Sequence, residues 1–473
     1  MSPRRLAAAE WGAAFLLGAA LLTLPWRGHL DDADAHLYQV VVRRIAGGEG
    51  WFDLRYLPGA YDHFREHLPF GFWPAALAAR VFGEWALGPL AAIESLATLA
   101  LVGFLGTRQA GRRAALVAVL VLGATESFWR YGGRMLLDPL LVLLGFASAV
   151  PVLLPRPRAG SWLLATALAA AGGLVKGPFG LLPLPCAAFA AAIAYRDRRR
   201  ALLGAVAALS AALPVAGFLV ADRFAGDGSW WAGYARAQLW ASASGARADG
   251  HLVWWYPLRI AAGRFWPGLP LVLLGGYSLL RQPGKEEARD PPAALLFGVF
   301  AVALLAGLSI PSRKCWNHEL IAFPALALLA GAGAGPPLAR WLDARAGRER
   351  WAAAALWLVA LTAAASSAAG FGARLLPPPC VASREFAKEL DGAAAGTPVL
   401  VVARSVPWDM LGSLSAERRL DAWPVPRLPD GPHRAGPGPD AATIALLSIG
   451  EAEPHPPWRE VARARGWLLL ERP

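Results

Sequence analysis

The chain has 473 residues, of which 56% are hydrophobic and only 17% charged, with a formal net charge of +12. That balance excludes a soluble domain of this length. It also argues against a nucleic-acid function, because most of the excess arginine lies in short turns between apolar runs, where a polytopic membrane protein carries it.

Runs apolar enough to cross about 30 Å of hydrocarbon fall at 11–26, 85–106, 114–129, 136–154, 161–175, 178–195, 201–221, 257–280, 292–311, 318–336 and 351–372. The expected fold is mainly α: a transmembrane helical domain of about eleven spans over residues 1–372. The first span starts basic, at Arg4 and Arg5, and no small-x-small cleavage site precedes Asp31, so it reads as a retained helix. Arg108, Arg112, Arg113, Arg156, Arg158, Arg196, Arg198, Arg199, Arg200, Arg281, Lys285, Arg289, Arg340, Arg345, Arg348 and Arg350 all fall in alternate connections. The positive-inside rule therefore puts the N-terminus in the cytoplasm and Asp31 to Glu66, Glu126 to Arg134, Lys176, Arg223 to Tyr256, Pro311 to Asn317 and everything beyond 373 outside. The expected location is a plasma (inner) membrane crossed many times.

The first outside loop opens with Asp31-Asp32-Ala33-Asp34-Ala35-His36-Leu37-Tyr38, and the stretch from Tyr38 to Ile45 is amphipathic up to Gly47-Gly48. The acids are thus expected at the start of a helix lying on the membrane surface. Arg65-Glu66-His67-Leu68-Pro69 precedes a second amphipathic segment, Phe70 to Phe82. Any one of these acids could be a hydrated helix end, and a Glu-His pair before an apolar helix is often a cap and a loop histidine.

Further along, Arg134 and Asp138-Pro139 stand at the head of a span. Lys176 lies in Gly172-Gly173-Leu174-Val175-Lys176-Gly177-Pro178, a tight turn expected to expose it. The chain has only four lysines, Lys176, Lys285, Lys314 and Lys388; two of them sit in outside turns, where a compact ammonium could snorkel or meet a lipid phosphate. His251 precedes Trp254-Trp255-Tyr256, and Arg313-Lys314 is a second cationic pair.

Beyond Pro377-Pro378-Pro379 the pattern alternates a helical segment, Ser383 to Asp391, with β-like runs at Pro398 to Ala403, Thr443 to Ser448 and Trp467 to Glu471. Residues 373–473 are expected to form a small extracytoplasmic α/β domain capping the membrane domain, with Pro426 to Pro439 as a long loop. Cys186 lies in a span, and Cys315 and Cys380 are expected outside as two thiols, without metal-ligand spacing.

In this order the segments resemble the C-type glycosyltransferases of bacterial membranes, the superfamily of the protein O-mannosyltransferases and the aminoarabinose transferases acting on lipid A. The resemblance covers most of the chain. Asp34 to Tyr38 matches the first and last positions of the family's D-E-x-x-Y element and is followed by Arg43 and Trp51. Glu66 to Phe70 matches its E-K-P-P-L or H-P-P-L element, with Gly71, Phe72, Trp73 and Phe82-Gly83 beyond. Arg134 to Asp138 looks like the second acidic element, Lys176-Gly177-Pro178 like the K-G-P turn, and His251 to Tyr256 and Ser312 to Pro324 like two later elements.

The resemblance implies an inverting glycosyltransferase that moves a sugar from a polyprenyl-phosphate donor to a lipid, glycan or protein acceptor at the outer face. Asp34, Glu66 and Asp138 would be catalytic, with Asp34 as base. His67, Lys176, Arg313 and Lys314 would bind the donor phosphate, and Tyr38, Arg134, His251 and Tyr256 the rest of the substrates. No cofactor is called for beyond a divalent cation, if one is used, that Asp138 and Glu66 would help hold. Ala35, Leu37 and Leu68 depart from the motifs and His318 stands where a tyrosine is common, which bears against the aminoarabinose reaction in particular and keeps Asp32 beside Asp34 as candidate base. Two other readings remain: a transporter or flippase of lipid-linked precursors, and a non-catalytic partner of another transferase.

Overall fold

The computed structural model describes residues 3–27, 33–57, 61–246, 253–266, 268–280, 293–312, 318–343 and 365, and the strands at 399–403, 433–435, 444–448, 459–464 and 467–471. The chain divides into two compact units. One comprises Met1–Leu24, Arg65–Gly71 and Gly88–Phe371, the other Pro25–Phe64, Phe72–Leu87 and Gly372–Pro473.

The first unit is a bundle of helices, and the packing of its longest described helix, Arg198–Ala225, is inverted relative to a soluble protein. Beyond its first turn the buried positions of this helix are Gly204, Ala207, Ala211, Val215 and Leu219, whereas Leu202, Leu209 and Leu213 are about two-thirds exposed or more. Small residues face the neighbouring helices and large ones face outward, the arrangement that lets backbones approach closely inside a bilayer. Ala207 and Ala211 join Val152, Ala165, Ala169, Leu184 and Ala188 in one core cluster between four helices, with Trp162 and Leu181 packed against it. Among the described residues, Glu84–Ala110, Ala159–Lys176, Arg198–Ala225 and His318–Gly335 are long and apolar enough to cross a membrane. Glu10–Thr23, Asp138–Leu153, Pro178–Ala194 and Ala293–Ser309 are shorter apolar helices.

Two expected spans are broken. The run 114–129 is the pair Arg112–Ala124 and Glu126–Gly132, bent by 66°. Thr125 sits at the bend with an extended ψ of 118°, and its hydroxyl donates back to the Val121 carbonyl at 2.7 Å, a bond that competes with the helix ladder. The run 257–280 is likewise two helices, Tyr256–Arg264 and Leu269–Leu280, because Pro267 restricts the residue before it and cannot donate to a helix ladder. The run 351–372 lies almost wholly outside the described residues.

In the second unit the helix Ala33–Ala46 buries Ala35, Tyr38, Val41, Val42 and Ile45. Asp34 is exposed in its first turn, where the helix dipole favours a carboxylate. Tyr38 packs edge-on against Phe72 at 5.4 Å and Phe64 at 6.3 Å. Arg43 grips Glu84 with two hydrogen bonds of 2.5 and 2.7 Å, and Arg44 donates to the Tyr56 carbonyl at 2.9 Å. A short hairpin pairs Arg55–Leu57 with Tyr61–His63. The helix Trp73–Phe82 and the turn after it expose Leu77, Val81, Phe82 and Trp85, an apolar surface suited to lipid contact.

The unit also holds a five-stranded mixed sheet in the order His433–Ala435, Val399–Ala403, Ile444–Ser448, Trp467–Glu471, Arg459–Ala464. Val399–Ala403 and Ile444–Ser448 run parallel, and the other neighbours are antiparallel. The expected loop 426–439 therefore contributes an edge strand, too short to show a period in the sequence. The expected helix 383–391 lies outside the described residues.

One close approach tests the bundle. A side chain on Gly180 would collide with the backbone of Gly172, whereas Gly217 faces open space. Gly180→Ala is expected to destabilise by about 1–3 kcal/mol and lower the thermal unfolding midpoint in detergent. Gly217→Ala, inside a helix, should hold or raise it. Equal midpoints for the two variants would contradict this packing.

Candidate active site

Asp138 and Lys176 form a buried ion pair in the first unit, 3.0 Å from Oδ1 to Nζ, with side chains 4% and 7% exposed. Asp138 opens the helix Asp138–Leu153 with Pro139 beside it, a placement in which the fixed proline φ suits the first turn and the carboxylate meets the positive end of the dipole. Lys176 closes the helix Ala159–Lys176 at the opposite, negative end of its dipole. The turn was expected to expose this lysine. It is buried instead, because Gly177 at φ 59° redirects the chain at once into the short helix Pro178–Leu181. Asp138 is the hydrogen-bond partner of Lys176 among the described residues, so two of the three ammonium N–H donors remain for a ligand.

The Glu66-His67 stretch reaches the same end of the bundle. Pro69–Gly71 forms a 3-10 turn whose Gly71 lies against Leu137 and Val175, the residues immediately before Asp138 and Lys176. Leu68 and Pro69 are buried here, and Glu66 and His67 are half-buried. Arg65, overlooked in the sequence, anchors this stretch: it is 7% exposed, stacks on Trp230 at 4.3 Å and donates from Nε and Nη2 to Ser229 Oγ at 3.1 and 3.0 Å. The double Trp230-Trp231 was the available signal, but tryptophan at headgroup depth is common whether or not it holds anything.

A small cavity of about 10 Å³, room for one water molecule, opens beside Asp138 and is lined by Ser95, Thr98, Tyr131 and Leu320 among others. Arg134 is 1% exposed and wholly enclosed. Tyr256 is buried at the start of Tyr256–Arg264. His318 stacks on Phe179, three residues beyond Lys176, at 4.1 Å. Its neighbour Glu319 is 1% exposed, with neither carboxyl oxygen hydrogen-bonded and with the charge of Arg264 acting on it. Glu319 falls within Ser312 to Pro324, the stretch that resembles a later family element, but nothing there singles it out from its neighbours.

Asp34 and Tyr38 belong to the second unit, one turn apart on the helix Ala33–Ala46, Asp34 exposed in its first turn and Tyr38 buried. The remaining candidates Asp32, His251, Arg313 and Lys314 lie outside the described residues. Among the described residues, no group of three His, Cys, Asp or Glu side chains is placed to hold a metal ion.

Residues 66–220 match the family model of dolichyl-phosphate-mannose-protein mannosyltransferases. The structure is similar over its full length to ArnT from Cupriavidus metallidurans bound to undecaprenyl phosphate, with a TM-score of 0.68 at 18% identity, covering 100% of this chain and 98% of that one. The apo state of the same ArnT matches equally. An Archaeoglobus fulgidus oligosaccharyltransferase tethered with an acceptor peptide matches with a TM-score of 0.54 at 15% identity, over 83% of this chain and 58% of that one. No curated protein matches by sequence. The fold is that of a polytopic membrane glycosyltransferase. More narrowly, it is that of the C-type glycosyltransferases, the resemblance that the ordered motifs carry.

Removing one partner of a buried ion pair strands the other's charge. Asp138→Asn and Lys176→Met are each expected to cost about 3–5 kcal/mol, and the double variant less than the sum of the two. Thermal unfolding of the four proteins checks this; additive losses would mean that the pair is not formed.

Proposed function

We propose that the chain is an inverting glycosyltransferase that moves a sugar from a polyprenyl-phosphate donor to a lipid, glycan or protein acceptor at the extracytoplasmic face of the membrane. The observation that carries this reading is the enclosed Lys176, held by Asp138 beneath the turn of the Glu66-His67 stretch in a fold shared along its whole length with ArnT. That ArnT is bound to undecaprenyl phosphate, and the oligosaccharyltransferase carries an acceptor peptide.

In the proposed reaction Asp34 takes the proton from the acceptor hydroxyl or amine. The acceptor atom then attacks the anomeric carbon on the face opposite the phosphate, the bond from that carbon to the phosphate oxygen breaks, and the configuration inverts. The polyprenyl phosphate leaves with the bonding electrons. Lys176, Arg313, Lys314 and His67 offset its charge, and Glu66 and Asp138 orient the base or the acceptor, or help hold a divalent ion if one is used. Tyr38, Arg134, His251 and Tyr256 bind the rest of the substrates.

The same reading assigns residues 1–372 to a membrane domain of about eleven spans and 373–473 to an α/β domain outside an inner membrane, with the N-terminus in the cytoplasm. The inverted packing of Arg198–Ala225 supports the membrane setting, and the mixed sheet supports the outer domain.

The test is sugar transfer from a panel of radiolabelled polyprenyl-phosphate sugars in proteoliposomes. Wild type should release label, and Asp34→Asn, folded and inserted, should be slower by about 10²- to 10⁴-fold, the share of catalysis a general base supplies. Full activity in Asp34→Asn would remove it as the base, and silence of wild type with every donor would remove the transferase reading.

A further inference from the structure

After Arg198–Ala225 the chain turns into a ten-residue π-helix, Trp231–Trp240. This geometry is rare beyond single-turn bulges and gathers at functional sites. Its start is fixed on one side by the stack of Arg65 on Trp230 and the bonds to Ser229, and Gly233 lies on the Arg65 side-chain stem, where a Cβ would not fit. One turn into this segment, Tyr234 is 2% exposed.

Its hydroxyl reaches the Lys176-Gly177-Pro178 turn so closely that any side chain on Gly177 would strike it. Gly177 is therefore required twice, by its positive φ and by this approach. Yet the hydroxyl makes no hydrogen bond among the described residues, and the Gly177 N–H beneath it is already committed to the Gly173 carbonyl at 2.7 Å. Burial alone pushes this phenol upward, so it remains an O–H donor throughout the working range of pH. The hydroxyl is not among the side-chain polar atoms sealed away without a partner, so a pinned segment holds an uncommitted donor at this turn where an acceptor from outside the protein can reach it.

We infer that Tyr234 is a donor-binding residue, whose hydroxyl donates to a non-bridging phosphate oxygen of the polyprenyl-phosphate substrate above the Lys176-Gly177-Pro178 turn. The two N–H groups of Lys176 not taken by Asp138 serve the same phosphate. The inference rests on the function proposed above and adds to it a phosphate contact from the π-helix.

The experiment measures the affinity of the full-length protein in nanodiscs for undecaprenyl phosphate, undecaprenol and inorganic phosphate, wild type beside Tyr234→Phe. The variant should bind undecaprenyl phosphate about ten- to a hundredfold more weakly, as expected for loss of a hydrogen bond to a charged group, with undecaprenol unchanged. The ratio of the two lipid affinities is taken within each protein, so a general loss of stability cancels. An unchanged ratio overturns the inference and leaves the proposed function standing. Failure of wild type to prefer the phosphate over the alcohol overturns both. Inorganic phosphate bound as tightly as the lipid, with the same dependence on Tyr234, overturns the assignment to a lipid headgroup.

Discussion

A lysine and an aspartate enclosed among apolar helices constrain everything around them. Each charge alone would cost several kcal/mol to bury, and the pair is tolerable only if the two are held at hydrogen-bond distance and stay there. Asp138 and Lys176 meet that condition by standing at the two helix ends that suit their signs, the aspartate at an N-terminus and the lysine at a C-terminus. The geometry then depends on the turns: Pro139 shapes the first, Gly177 the second, and Gly71 brings the 3-10 turn Pro69–Gly71 flat against both. A shift in any of these would pull a charge away from its partner, which is why residues without chemistry of their own set the site.

The bundle that holds the pair is built for a different solvent than water. Lipid tails give no hydrophobic reward for helix association, so close contact must come from van der Waals packing between small residues. Gly204, Ala207 and Ala211 on one helix and Gly172 against Gly180 supply that contact, while leucines face outward. The bent pair at Thr125 follows from the same setting. A backbone freed from the helix ladder needs its hydrogen bonds met within the protein, and there the Thr125 hydroxyl and the buried residues around it take part.

Much of this was legible in the residues. Apolar run length marks the helices, and the ordered motifs bring out the fold, because spacing and composition survive where identity to a solved relative falls to 18%. The burial of Lys176 was not legible. A lysine in a Gly-Gly-Leu-Val-Lys-Gly-Pro turn looks solvent-bound, and only its partner 38 residues earlier makes burial affordable. Arg65, Tyr234 and Glu319 were hidden for the same reason: each acquires its meaning from a segment distant in sequence, and none follows a local period. The break at 265–268 was visible as Pro267-Gly268, but a single proline inside a long apolar run does not by itself say whether a span kinks or ends.

The pairing of Lys176 with an acid also bears on how a leaving phosphate would be favoured. A polyprenyl-phosphate sugar is a diester carrying one negative charge; the departing polyprenyl phosphate is a monoester that carries more, approaching two near neutral pH. Groups that respond to this increase lower the barrier, whereas groups that merely grip the diester do not. In the proposed reaction, a lysine already shared with Asp138 would offer the incoming diester less than a bare ammonium. As charge develops on the phosphate, the same ammonium can lean toward it without leaving its helix end, since two of its donors are uncommitted. A compact ammonium can divide itself between two anions in this way, while a guanidinium fork fixed on one carboxylate cannot, and that gives a physical reason for a lysine here in a chain that uses arginine for nearly every other cation.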